Sequence, residues 1–99
     1  MNYNFEWDPV KARNNFQKHR MSFERASKIF LDPLALSIYD KEHSLKEDRW
    51  ITIGKTKSET IIVAIHTFKE IQKDQTHIRL ISARKANKIE KKQYLGKPS

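Results

Sequence analysis

Three side chains able to handle a phosphate stand in segments that alternate like β-strands: Arg49 opens 49–54, His66 lies within 60–68 and Arg79 within 77–83. A guanidinium stays protonated, and its planar fork grips a phosphate through two parallel hydrogen bonds. Histidine exchanges a proton near neutral pH. Together these types supply what metal-free cleavage of an RNA phosphodiester needs: a base for the ribose 2′-hydroxyl, a donor for the leaving oxygen, and cations for the developing charge. Each residue alone reads equally well as a surface ion-pair arginine or a hydrogen-bonded core histidine. The elements that carry them must decide.

Successive side chains of a strand point to opposite faces. Arg79 therefore parts from Ile78 and Leu80, His66 goes with Ile62 and Ala64, and Arg49 goes with Ile51 and Ile53. If helices cover the Ile78/Leu80 side, Arg49, His66 and Arg79 are expected to converge on the open face, with Arg84 at its rim.

The order of elements follows from periodicity and caps. Tyr3, Phe5 and Trp7 alternate with polar residues as in a short strand. Asp8-Pro9 then reads as an N-cap with proline in the first turn, opening a helix with Ala12 and Phe16 toward the core. Ser22 caps a second helix bearing Phe23, Ala26 and Phe30, and Asp32-Pro33 stops it. Period-two segments follow at 34–39, 49–54, 60–68 and 77–83, with 69–75 as a connection. Their short connections predict an antiparallel meander. A last helix is expected over about 83–94, capped by Ser82, before a flexible tail at 95–99. Arg84 and Lys85 in its first turn would oppose the helix dipole by roughly 0.3–1 kcal/mol each, so an anion should compensate. The expected class is α+β: one domain over 1–99 with its core at about 3–94, a small antiparallel sheet packed by two N-terminal helices and a C-terminal one, in the order β-α-α-β-β-β-β-α.

Composition limits the partners. The 99 residues carry 20 Lys+Arg against 12 Asp+Glu, a formal charge of +8, which favours nucleic acid or an acidic protein. The basic residues are spread along the chain rather than gathered on one amphipathic helix, so no membrane partner is expected. Without cysteine there is neither a disulfide nor a thiolate zinc site, and a cytoplasmic setting fits. Asp40, Glu42, His43, Glu47 and Asp48 share a loop, but no metal-binding spacing is present, so neither metal nor cofactor is expected. Two glycines are too few for a phosphate-cradling loop, and no GxSxG motif supports a nucleophilic serine.

Five segments taken in order resemble the BrnT family of ribonuclease toxins from bacterial type II toxin–antitoxin systems: Phe5-Glu6-Trp7-Asp8-Pro9, Asn15-Phe16-Gln17-Lys18-His19, Asp32-Pro33-Leu34, Ile51-Thr52-Ile53-Gly54, and Ile78-Arg79-Leu80-Ile81-Ser82-Ala83-Arg84-Lys85-Ala86. The match runs from about residue 5 to 94. The resemblance implies a RelE-like fold and metal-independent RNA cleavage that arrests growth. It also implies a BrnA-type antitoxin with a ribbon-helix-helix end, and a toxin–antitoxin complex that represses their shared promoter. Promoter DNA is then a partner only through that complex. Carried over by position, His19 or His66 is the expected acid or base, and Arg49 and Arg79 the phosphate and transition-state clamps. Lys18, Ser82, Arg84 and Lys85 are the expected RNA contacts. Where such toxins usually have glycine after the Lys18-His19 pair, this chain has Arg20. A left-handed residue there costs on the order of 1 kcal/mol without glycine. Two other readings use the same basic surface. One is a non-catalytic RNA- or ribosome-binding module with Tyr3, Tyr39 and Trp50 as stacking platforms. The other is an inactive toxin homologue acting as co-repressor.

Overall fold

The computed structural model describes residues 2–96. Strand β1 (Asn2–Glu6) leads into helix α1 (Pro9–His19), where Asp8 accepts from the Val10 N–H and proline occupies the first turn. The helix stops at Arg20, whose φ of 56° is left-handed and whose N–H reaches the Phe16 carbonyl. Arginine thus bears the strain expected at that site. Ser22 caps helix α2 (Phe23–Ser27) through the Arg25 N–H, and a 3₁₀ turn at Lys28–Leu31 carries the chain to Asp32. Strands β2 (Leu36–Tyr39), β3 (Trp50–Lys55), β4 (Ile61–His66), β5 (Lys69–Gln72) and β6 (Gln75–Lys85) follow, then helix α3 (Lys88–Leu95).

The sheet runs β1-β6-β4-β3-β2, with β5 also beside β6. Neighbours are antiparallel except β1, which lies parallel to β6 from Asn2↔Gln75 to Glu6↔Arg79. The sheet is therefore mixed rather than the antiparallel one expected. Two helices separate β1 from the other strands, and that length of chain permits a parallel return. The segment expected as a connection holds β5, which prolongs β4 along β6 up to a turn at Asp74, left-handed with φ 67°.

The last helix also starts later than expected. Strand β6 stays paired through Ile62↔Lys85, so Ser82, Arg84 and Lys85 are strand residues. Asn87, not Ser82, is the N-cap, in a reciprocal capping box with Glu90. The dipole conflict inferred for Arg84 and Lys85 therefore does not arise. Leu95 belongs to α3 and Gly96 caps it with φ 64°, while the remainder of the expected tail, 97–99, lies outside the described residues.

Helices lie on both faces. One carries the main core of Met21, Phe23, Ala26 and Ile29 over Ile62, Ala64, Ile78 and Leu80. On the other, Tyr94 of α3 packs on a smaller cluster of Ile53, Val63 and Ala86. Two details fix the first layer. At Gly54 an added Cβ would stand 2.7 Å from the Ile29 Cβ, so the 3₁₀ turn can approach the sheet only there. Asn15, buried on α1, accepts from the Ala83 N–H at 3.1 Å and donates to the Ala83 carbonyl at 2.9 Å and the Met21 carbonyl at 3.0 Å. It pairs the edge of β6 beyond the end of β1, as another strand would.

Candidate active site

Strand register decides which predicted residues meet. Trp50, His66 and Leu80 pair across β3, β4 and β6, on the face of Ile62 and Ala64. One step further, the Thr67 N–H donates to the Arg79 carbonyl at 3.0 Å, and its hydroxyl accepts the Arg79 N–H at 3.2 Å. Arg49 precedes β3 at the same level, its carbonyl accepting from the Asp40 N–H at 2.9 Å. Glu6 pairs with Arg79 across β1 and β6, and alternation sets both on the face opposite Ile78 and Leu80, while Thr67 directly follows β4 and Arg49 directly precedes β3, so the four form a row at this end of the sheet. Neighbouring strands are about 4.8 Å apart, which sets the two arginine backbones about 10 Å from each other, a span two guanidinium side chains close around one phosphate.

That row has its own acids and its own histidine. Arg79 pairs with Glu47 from the β2–β3 loop. The Arg49 Nε is buried and has no hydrogen-bond partner among the described residues. An unpaired buried donor is uncommon. His77, two residues before Arg79 and so on the same face, reaches Glu6 at 3.4 Å and is part-exposed.

His66 does not join this row. It is 1% exposed on the helix-covered face, with Phe30 edge-on at 4.9 Å. Its Nε2 lies 2.6 Å from the Thr52 hydroxyl and its Nδ1 2.8 Å from the Thr67 carbonyl. Burial lowers its pKa from the ordinary 6.5 against the opposing pull of that carbonyl, so the ring is neutral. The expected convergence of all three residues on the open face is corrected accordingly: two arginines share it, and His66 lies beneath it, holding Thr67. Its strand pattern, apolar on both faces, hid which side the helices cover.

The other expected residues lie elsewhere. Lys18 and His19 end α1, which packs on the core face of β6 near Ala83. Ser82 donates to the Asn15 side chain at 3.3 Å. Arg84 grips Glu90 with both arms of its fork, at 2.7 and 2.8 Å. That hydrogen bond raises the Arg84 pKa and lowers that of Glu90. The anion sought for Arg84 is therefore internal. Lys85 is exposed at the end of β6. In the acidic loop, His43 pairs with Asp40 and Asp48 accepts from the Tyr39 hydroxyl, so the loop's groups are engaged separately. Sequence reasoning missed Glu47, Thr67 and Glu6 and gave His77 no role. Only the alternation of His77 with Arg79 was there to be read.

Comparison with known proteins bears on fold and family. The crystal structure of the Brucella abortus ribonuclease toxin BrnT matches with a TM-score of 0.59 at 24% identity, covering 89% of this chain and 100% of that one. At that identity the likeness speaks for the fold. No curated protein matches the chain. The family model described as the ribonuclease toxin BrnT of type II toxin–antitoxin systems matches residues 7–90, a span that includes the arginine row from Arg49 to Arg79, the neighbouring His77 and the Asn15 tie. With nearly the whole chain matched, the protein belongs to the BrnT family of ribonuclease toxins of type II toxin–antitoxin systems.

Proposed function

We propose that this toxin cleaves RNA without a metal ion on the open face bearing Arg49, Thr67, Arg79 and His77. The observation that carries the reading is the pair of arginines flanking Thr67, one of them with a buried, unpaired Nε. A phosphate entering between them displaces Glu47 from Arg79, and both forks then stabilise the charge that grows on the non-bridging oxygens. The freed Glu47 carboxylate takes the 2′-hydroxyl proton. The 2′-oxygen attacks phosphorus as the bond to the 5′-oxygen breaks, and His77, oriented by Glu6, protonates that leaving oxygen. The products are a 2′,3′-cyclic phosphate and a 5′-hydroxyl. His66 acts as a positioning residue through Thr67, and His19 stands apart from the step. Of the RNA contacts that the resemblance implies, Lys18 ends α1, Ser82 holds Asn15, Arg84 holds Glu90 and Lys85 pairs with Ile62 at the other end of β6, so all four stand outside this step.

The wider setting follows the family. The fold is RelE-like, cleavage arrests growth in the cytoplasm, and a BrnA-type ribbon-helix-helix antitoxin neutralises the toxin and represses the shared promoter with it. A second reading, an RNA-binding module without cleavage, draws on one feature. Trp50 stands 5.3 Å from Tyr39 and 6.3 Å from Phe68, and the outer two rings are 43% and 45% exposed, a surface on which bases stack.

Single-stranded RNA incubated with purified protein in EDTA separates the readings. Cleavage leaving cyclic-phosphate ends, reduced about 100-fold or more in His77→Ala, is the expected result. Binding without cleavage selects the module. Cleavage that requires added magnesium contradicts the metal-free mechanism.

A further inference from the structure

The far end of the sheet holds a cleft of about 700 Å³ that the arginine row does not use. Leu31, Pro33 and Leu34 line its apolar part, and the two leucines are 71% and 72% exposed. Lys28, Lys55 and Lys57 stand around them. None of these lysines takes part in the four ion pairs found among the described residues. The one acid in the lining, Asp32, is already occupied. It accepts from the Tyr94 hydroxyl at 2.5 Å, the Lys55 N–H at 2.8 Å and the Leu34 N–H at 2.9 Å. The cleft therefore presents apolar side chains within a ring of positive charge.

An exposed apolar centre with a charged rim is the anatomy of a protein-binding surface. RNA would engage the lysines but leave the leucines in water. We propose that this cleft docks an acidic segment of the cognate antitoxin, with one large apolar side chain seated on Leu31, Pro33 and Leu34 and flanking carboxylates facing Lys28, Lys55 and Lys57. The protein partner comes from membership of a type II toxin family, and the proposal rests on that reading. Along β3, from Arg49 to Lys55, the chain rises about 20 Å, so this anchor lies apart from the proposed RNA site. Antitoxin bound here is tethered by one segment and silences catalysis with another.

The test measures the dissociation constant of purified cognate antitoxin for the full toxin chain by calorimetry. The variants are Lys28→Glu with Lys57→Glu and, separately, Leu34→Asp, all at exposed positions, with melting temperatures checked against wild type. Each is expected to weaken binding about tenfold or more, while RNA cleavage by free toxin stays within about twofold of wild type. Unchanged antitoxin affinity in both variants overturns the proposal. Cleavage or RNA affinity that falls while antitoxin affinity holds makes the cleft an RNA exosite and also overturns it. Wild-type toxin that binds no antitoxin removes the partner itself, a failure visible before any variant is made.

Discussion

His66 and His77 show how burial divides one residue type between two tasks. His66 is neutral in the folded chain because burial lowers its pKa below 6.5, whereas in the unfolded chain it takes up a proton near that value. The unfolded state then binds more protons below about pH 6.5, so stability is level above that pH and falls as pH drops toward the lowered pKa. Urea unfolding at about pH 7.5 and 5.5 is expected to show wild type losing more stability than His66→Gln over this interval. Equal losses would place the acid sensitivity in another group. At this scale the sequence was partly legible. The arginines and histidines were visible as types, but a strand apolar on both faces gave no sign that His66 turned inward. Arg84 misled for a related reason: its anion, Glu90, lies one turn into a helix whose start was read too early.

Elements opened by local signals were readable, and elements set by distant pairing were not. Asp8-Pro9 and Ser22 mark α1 and α2 because an N-cap acts within three residues. The left-handed residue after His19 was readable for the same reason, and Arg20 occupies it with φ 56°. By contrast, β1 lies parallel because β6 offers it an edge, β5 exists because β4 bends along β6, and α3 waits until β6 has finished pairing with Ile62. Asn15 belongs to this second group. Its side chain serves as the missing strand beside Ala83, which makes it a structural residue within a segment read as a motif. Asn15→Ala leaves the Ala83 amide and carbonyl buried without their partner and is expected to cost about 2–3 kcal/mol. Denaturant melts measure it directly, and a loss within about 0.5 kcal/mol would show that the edge finds other partners.

Across the whole molecule, the two proposed sites lie at opposite ends of the sheet. One end presents Arg49, Thr67, Arg79 and His77, and the other presents a lysine-ringed cleft between the 3₁₀ turn after α2 and the end of β3. The charge of +8 brings both RNA and an acidic partner toward such a surface, so cleavage and antitoxin binding are each expected to weaken with salt. Composition gives the charge, but only the register of six strands sets the distance between the arginine row and the lysine-ringed cleft. Cleavage of RNA at the arginine row is the proposal on which the others depend. Single-turnover cleavage of single-stranded RNA by Arg79→Ala in EDTA, beside wild type of equal melting temperature, tests it most directly. A rate lowered about 100- to 1000-fold is the predicted result, and a folded Arg79→Ala that cleaves at the wild-type rate would contradict it.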